Sequence, residues 1–149
     1  MDQLGFIRQV TLKLVSELSE QQLDCIPEGF NNNIRWNLGH IYLAQEQFAF
    51  HFAKEPMIIP DGFNELFGMG SKPTEWPAQT PPLPELIQLL EEQPKRIKEV
   101  LHNRLDETVE NPLVLGGLTL HTIGEYLSFC LFHEGTHMQA IKTLKKFCP

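Results

Sequence analysis

A proline-rich stretch in the middle of the chain constrains the fold more than any other sequence feature. Residues 54–82 hold six of the eleven prolines in a chain of 149 residues, together with several glycines. Proline lacks an amide hydrogen and clashes with the preceding helical turn, so this stretch cannot be a long helix. A connection of this length usually serves as a lid, a binding loop or a crossover. It is long enough to run back along the molecule, which allows the helices before and after it to lie parallel.

On both sides of this stretch, apolar residues recur at steps of three and four, which is typical of amphipathic helices. The predicted long helices cover residues 2–18, 31–53, 84–105 and 119–147. Pro94 lies inside the third of them and is expected to kink it or divide it in two. Two S/T-x-x-E/Q patterns, which begin at Ser19 and Thr122, predict capping boxes that open a short helical turn and the last helix.

These four helices predict an all-α fold. The expected architecture is a single domain over residues 1–149, a four-helix bundle of up-down-down-up order with a long crossover between helices 2 and 3. The strand signal is confined to residues 113–115, and Asn111-Pro112 and Gly116-Gly117 are interpreted as parts of a loop. Bundles of this kind place metal and ligand sites between the side chains of facing helices.

Charge and composition exclude several classes of partner. Nineteen acidic residues against twelve basic ones give a net charge of −7, which disfavours nucleic acid and anionic lipid surfaces. No apolar run approaches the roughly 18 residues of a membrane span, and the N-terminus lacks the pattern of a signal peptide. The cysteines Cys25, Cys130 and Cys148 are odd in number and lack C-x-x-C spacing, which predicts a reduced, cytoplasmic protein without disulfides.

The last helix carries the strongest chemical signal of the sequence. His133 and His137 are four residues apart, so they lie one above the other on one helix face and can chelate one metal ion. The segment also matches the H-E-x-x-H pattern of zinc proteases, in which the third ligand follows the motif. The twelve residues after His137 include no His, Asp or Glu, so a third protein ligand has to come from earlier in the chain.

His40 is the leading candidate for that ligand. It lies on the apolar side of the second helix, next to Ile41, and follows Gly39, which permits the close approach of another backbone. His40, His133 and His137 then form a three-histidine set with an open coordination position, as in catalytic metal sites. Each histidine alone has a plainer interpretation as a packed or surface side chain.

Four further residues are candidates for supporting roles. Glu134 is a candidate general base, although it points about 100° away from the ligand direction of His133 and can equally be a solvated helix residue. Asn37, Gln47 and Tyr126 lie on or near the faces of the histidines. They are candidates for orienting an imidazole or contacting a cofactor or substrate, and each can equally make an ordinary hydrogen bond between helices.

Two elements of the chain resemble the DinB/YfiT-like superfamily. They are W-x-x-G-H, from Trp36 to His40, and H-x-x-x-H, from His133 to His137. Members of this superfamily are small bundles that bind a divalent metal through three histidines. Many continue the second element as H-x-x-x-H-x-G-Q, whereas this chain has His137-Met138-Gln139-Ala140. The resemblance covers essentially the whole chain, including the crossover.

The resemblance implies a metal-dependent enzyme that acts on a small-molecule substrate. Family members of known activity include thiol S-transferases and thiol-dependent isomerases, so the implied cofactors are zinc or nickel and a low-molecular-weight thiol. Two alternatives stay open. The first is a zincin-like hydrolase that uses Glu134 as base, and the second is a non-enzymatic bundle whose histidines bind no metal. Family members often pair, so exposed aromatic residues of the 54–82 segment are interpreted as a homodimer face or a lid.

Overall fold

The structure is a computed structural model that describes residues 1–77 and 79–148; Ala78, within the proline-rich segment, and Pro149 lie outside this range. The helices are α1 (Asp2–Val15), α2 (Glu20–Asp24), α3 (Ile34–Glu46), α4 (Phe63–Phe67), α5 (Leu83–Leu101) and α6 (Ile123–Phe147). Two antiparallel strands, β1 (Thr108–Leu115) and β2 (Leu118–Thr122), precede α6. A π-helical turn (Gln47–His51) extends α3, and a 3₁₀ turn covers Pro73–Glu75. The fold is mostly helical, as predicted, with a small sheet added.

The side chains that begin the helices are those that the sequence patterns indicate. Ser19 and Thr122 each form a capping box with the residue three positions on, and both predicted boxes are confirmed. The Oδ1 atom of Asn33 accepts the Trp36 amide hydrogen at 2.8 Å and caps α3. Such caps satisfy amide groups that have no partner within the helix. The caps therefore place the start of α3 six residues before His40 and the start of α6 ten residues before His133.

Pro94 does not divide α5, which runs without interruption from Leu83 to Leu101. A proline at this position leaves the carbonyl of Leu90 without its usual helical donor. Arg8 fills the gap, because its Nη1 atom donates to the Leu90 oxygen at 2.5 Å. A partner that is distant in sequence thus satisfies the carbonyl, and the predicted break does not occur.

The loop predicted before the last helix is a β-hairpin. Leu115 pairs with Leu118 across a two-residue turn, Gly116-Gly117, and Gly116 adopts a left-handed φ of +60° that favours glycine. The register shifts between Thr108 and Leu113, and this irregularity accommodates Asn111-Pro112 within β1. Residues 119–122 were predicted as helix, and this prediction is wrong because they form β2; the helix begins only at Ile123.

The proline-rich segment packs against the bundle through its aromatic residues. Phe63 and Phe67 are buried, on α4, and α4 packs against α3. The ring of Trp76 is tilted edge-on to Phe67, and its Nε1 atom donates to the Leu66 carbonyl at 2.8 Å. The expectation that these aromatic residues are exposed is therefore wrong, because they contribute to the core.

The cysteines also differ from the prediction. Cys25 and Cys148 form a disulfide with an S–S distance of 2.10 Å, while Cys130 is a buried free thiol. The two cysteines are 123 positions apart, so no local sequence spacing indicates that they pair. The bond ties the end of α6 to the segment that precedes α3. None of the helices in the described ranges is both long and apolar enough to cross a membrane.

Candidate metal centre

Three imidazoles converge between α3 and α6. One nitrogen each of His40, His133 and His137 lies within 4.8 Å of the other two. The ring centroids are 5.2 Å apart for His40 and His133, 4.9 Å for His40 and His137, and 4.6 Å for His133 and His137. Metal ions such as Zn²⁺ bind imidazole nitrogens at about 2.0–2.1 Å. Small rotations of the three side chains are enough to bring all three nitrogens to one ion.

A backbone carbonyl orients His40. The Nδ1 atom of His40 lies 2.6 Å from the Phe67 oxygen, so the ring donates its Nδ1 hydrogen there and keeps Nε2 free as a ligand. The indole of Trp36 stacks on the same ring at 4.6 Å, with an interplanar angle of 10°. Gly39 makes the arrangement feasible, because an added Cβ would lie 2.3 Å from Cγ of Phe67. The close approach expected at Gly39 is thus made by a side chain, the Phe67 ring.

An amide side chain orients His137. Its Nδ1 atom lies 2.8 Å from Oδ1 of Asn37, and the Nδ2 atom of Asn37 donates to the Asn33 carbonyl at 2.7 Å. Because the amide nitrogen is committed to Asn33, the oxygen faces the imidazole and accepts its hydrogen. This leaves Nε2 of His137 free, as in His40. Carbonyl and amide acceptors of this kind fix the tautomer of metal-binding histidines.

Burial keeps the imidazoles neutral. It lowers the pKa of His133 to about 4, with the neighbouring His40 adding to the effect. It also lowers the pKa of His137 to about 3, assisted by His133 and His40, and it lowers the pKa of His40. Neutral imidazole is the form that binds metals, so all three side chains are in the ligand form at neutral pH.

Aromatic rings flank His133. The Phe48 ring lies edge-on at 6.1 Å from the His133 ring, and the Phe129 ring lies 6.4 Å from it. Phe48 belongs to the π-helical turn that extends α3. The three-histidine cluster therefore has an apolar wall on the side of His133 and hydrogen-bonded imidazoles at His40 and His137.

A family model described as the DinB superfamily matches residues 3–141. The chain belongs to the DinB superfamily. The matched range includes the three histidines and Asn37. A search of curated proteins finds no match.

In this DinB-superfamily chain, Glu134 is directed away from the histidines and into the core. It is buried, and its Oε1 and Oε2 atoms accept from Nε and Nη2 of Arg8 at 2.9 and 3.1 Å. Both carboxylate oxygens are thus occupied by a guanidinium, which leaves the sequence-based role as general base without support from this geometry. Sequence reasoning missed Arg8, whose only signal is a cation on an otherwise apolar face of α1.

The three other candidates lie in different surroundings. Asn37 contacts the metal centre directly, through His137. Gln47 is exposed at the start of the π-helical turn. Tyr126 is fully buried, and its hydroxyl accepts the Leu113 amide hydrogen at 2.7 Å, which fastens β1 to α6. The structure therefore joins only Asn37 to the histidines by a hydrogen bond.

A groove of about 460 Å³ adjoins His137. On one side it is lined by the segment before α3, including Phe30, Asn31 and Asn32, and on the other by α6, including Thr136 and Ala140. Its volume is within the range of small-molecule sites. The metal centre of this superfamily member thus has room beside it for an organic ligand.

Proposed function

We propose that this chain is a metal-dependent enzyme in which His40, His133 and His137 bind a divalent ion, zinc or nickel. The observation that carries the proposal is the convergence of three neutral imidazoles, two of which donate Nδ1 to fixed acceptors and so keep Nε2 for a ligand bond. When bound, the ion would supply Lewis-acid chemistry to a thiol or water in the coordination position that three protein ligands leave open.

We infer that the reaction is a thiol-dependent S-transfer to a small molecule. The thiol loses its proton to solvent, its sulfur forms a bond to an electrophilic carbon of the substrate, and a leaving group departs from that carbon with the electron pair of the broken bond. The support is the groove beside His137, where the Asn31 and Asn32 amides and the Phe30 ring surround space next to the metal centre. Amide groups can bind the polar part of a low-molecular-weight thiol whose sulfur reaches the ion. The hydrolase alternative requires a free base at Glu134, and its carboxylate is already held by Arg8.

We also infer that α1, α3, α5 and α6 form one up-down-down-up four-helix bundle, with the 54–82 segment as its crossover. Hydrogen bonds from Arg8 to Glu134 and from Lys145 to Leu14 support a parallel α1 and α6. The approach of His137 to Asn37 and of Phe129 to Phe48 supports an antiparallel α3 and α6.

Contacts near the two ends of α5 support its direction relative to α3 and α1. Arg35 donates to the Pro81 carbonyl and Arg96 pairs with Glu46, which suits a parallel α3 and α5. Lys98 pairs with Asp2 at 3.0 Å, which suits an antiparallel α1 and α5. All four helices then belong to the single domain over residues 1–149. A cytoplasmic location and homodimer formation stay predictions.

Metal analysis tests the proposed function directly. The chain is produced without a histidine tag, purified without nickel resin or chelator, and analysed by inductively coupled plasma mass spectrometry. We expect about one equivalent of zinc or nickel, and its loss in His40→Ala, His133→Ala and His137→Ala. His121→Ala is the matched control, because His121 is exposed and remote from the centre. A full metal equivalent in all three variants, or none in the parent chain, would refute the assignment.

A further inference from the structure

A second groove lies beside the metal centre, on the side of the hairpin. Its volume is about 480 Å³, and it separates β2 from the first half of α6. The lining residues are Leu118, Leu120, Glu125, Ser128, Phe129 and Phe132. A volume of this size suits a small organic molecule. We call this the hairpin groove.

The polar groups of the hairpin groove are engaged within the protein. Glu125 Oε2 accepts the amide hydrogens of His121 and Thr122 at 2.5 and 3.0 Å, as part of the helix cap. Ser128 donates its hydroxyl hydrogen to the Gly124 carbonyl at 2.9 Å. The two polar side chains that line the groove are thus engaged through Glu125 Oε2 and the Ser128 hydroxyl hydrogen, and the charge of Glu125 disfavours an anion. The chemistry of the lining suits an apolar occupant.

The apolar side chains of the groove are exposed to water. Phe132 is 66% exposed and Leu118 is 49% exposed. Leaving such side chains in water forgoes free energy that burial would return. These two residues therefore gain most from an occupant.

One aromatic side chain is shared by the groove and the metal centre. Phe129 lines the groove, and its ring lies 5.9 Å from that of Phe132 and 6.4 Å from that of His133. Phe48 contacts the other side of this pair, at 5.1 Å from Phe129 and 6.1 Å from His133. A molecule in the hairpin groove thus packs against the same aromatic wall that flanks a metal ligand.

The helix periodicity also connects this groove with the one beside His137. Phe132 and Thr136 are four residues apart, so they lie on one side of α6 about 6 Å from each other along the axis. Phe132 lines the hairpin groove and Thr136 lines the other. The two grooves therefore lie along one side of α6. His133 and His137 each follow directly after one of these two lining residues, Phe132 and Thr136.

We propose that the hairpin groove binds the apolar organic group of the substrate while the reacting end of that substrate lies at the three histidines. This inference rests on the proposed function and adds its substrate class, a small molecule with an alkyl or aromatic body. The groove beside His137 then takes the thiol cofactor, and the hairpin groove takes the second reactant.

A series of alkanethiols on cobalt-loaded protein tests the inference. Here the thiols stand in for the substrate: the sulfur holds each molecule at the ion, and the alkyl chain represents the apolar body that the hairpin groove binds. Ethanethiol, 1-butanethiol and 1-hexanethiol are titrated, and binding is followed by the near-ultraviolet absorption band of cobalt-bound sulfur. We expect affinity to rise by up to about fourfold per added methylene, the limit for full burial. In Phe132→Ser and Leu118→Ser the rise should flatten, while the affinity for ethanethiol stays unchanged. Val114→Ser is the matched control, because Val114 is 63% exposed on the same hairpin but does not line the groove.

A second probe separates this inference from the proposed function. 1-Octanol is titrated by calorimetry into metal-free protein, where we expect one site per chain that Phe132→Ser weakens at least tenfold. A protein that binds no cobalt but binds octanol in this way refutes the metal site and supports the groove. If the three thiols bind the cobalt-loaded protein with the same affinity, whatever their chain length, the proposed role of the hairpin groove is overturned. The groove is also overturned if octanol does not bind to the metal-free protein. A dimer that Phe132→Ser dissociates would then show that a second copy covers the groove.

Discussion

A single amide, that of Asn37, sets the tautomer of His137, one of the three proposed metal ligands. Its nitrogen is committed to the start of α3 by the bond to the Asn33 carbonyl, so its oxygen has to face His137. An acceptor at Nδ1 holds the tautomer whose Nε2 lone pair binds metal and also restrains the rotation of the ring. Asn37 thus connects the first turn of α3 to the orientation of the His137 ring.

Replacing Asn37 by leucine should weaken metal binding without preventing folding. The variant has similar size but no acceptor, so we expect metal affinity to fall by about 10- to 100-fold. Competition with a chromogenic chelator measures the affinity, and circular dichroism checks the fold. Asn37→Asp keeps the acceptor and should retain most of the affinity. The control is Gln47→Ala, at an exposed position in the π-helical turn that extends α3. Equal affinities for Asn37→Leu and the parent chain would contradict this role.

At the scale of elements, α4 is the support for His40. The Phe67 ring fills the space beside Gly39, and the carbonyl of the same residue accepts from His40. Phe67 is fully buried, so its ring has little room to move. The short helix from the proline-rich segment therefore positions a ligand that belongs to α3.

Gly39→Ala should disturb this contact and lower both stability and metal affinity. The added Cβ would lie 2.3 Å from the Phe67 ring, and overpacking of this kind costs about 1–3 kcal/mol. Urea unfolding and chelator competition measure the two effects. Gly135→Ala is the matched control: it lies within α6, its added Cβ meets nothing within 4 Å, and it should stabilise by about 0.4–1 kcal/mol. If the two alanine variants have the same stability, the packing argument fails.

A buried ion pair joins α1 to α6. Arg8 binds both carboxylate oxygens of Glu134, and it also donates to the Leu90 carbonyl on α5 and to the Gln45 side chain on α3. A buried charge is costly without its partner, whereas replacing both partners by apolar residues costs much less. The pair therefore acts as a joint between helices, and it holds the residue that follows His133.

Glu134→Leu should lower the free energy of unfolding by about 3–5 kcal/mol, because Arg8 stays buried without its counter-charge. The double variant Arg8→Met with Glu134→Leu should recover part of that loss. Urea unfolding of the two variants and the parent gives the comparison. Metal stoichiometry should stay at the parent value in both. Full stability of the single variant would show that the pair contributes nothing.

The elements that could be predicted from the sequence are those set by local patterns. Periodicity and caps predicted the long helices, and the spacing of His133 and His137 predicted that their rings lie side by side. The partner of the Leu90 carbonyl in the uninterrupted α5 could not be predicted, since it is Arg8, 82 positions away in the sequence. The hairpin was missed because Gly116-Gly117 was interpreted as part of a loop rather than as a two-residue turn.

Within the three-histidine cluster, the sequence indicated which residues come together but not how their rings are oriented. His40 follows from its place on the apolar stripe of the second helix. Its acceptor, the Phe67 carbonyl, lies 27 positions further on in the proline-rich segment, where no periodicity specifies the packing. The acceptor of His137 is 100 positions away. Contacts of this range depend on the completed fold.

At the scale of the whole molecule, the disulfide closes the chain on itself. Cys25 precedes α3 and Cys148 follows α6. The loop that the bond closes therefore contains most of the chain, including the three histidines. The segment after Cys25 and the last turns of α6 are also the two walls of the groove beside His137. The bond therefore limits how far these two walls can separate.

Reduction of this bond should lower the free energy of unfolding by about 4–5 kcal/mol, because a cross-link over 123 positions removes much of the freedom of the unfolded chain. Urea unfolding with and without dithiothreitol measures the difference, and the double variant Cys25→Ser with Cys148→Ser should show no response to the reductant. Titration of thiols in denaturant should count one free thiol, Cys130, in the oxidised parent chain. If the parent chain instead shows three free thiols and its stability does not respond to dithiothreitol, Cys25 and Cys148 stay reduced in solution. Packing alone would then hold the two walls of the groove beside His137 together.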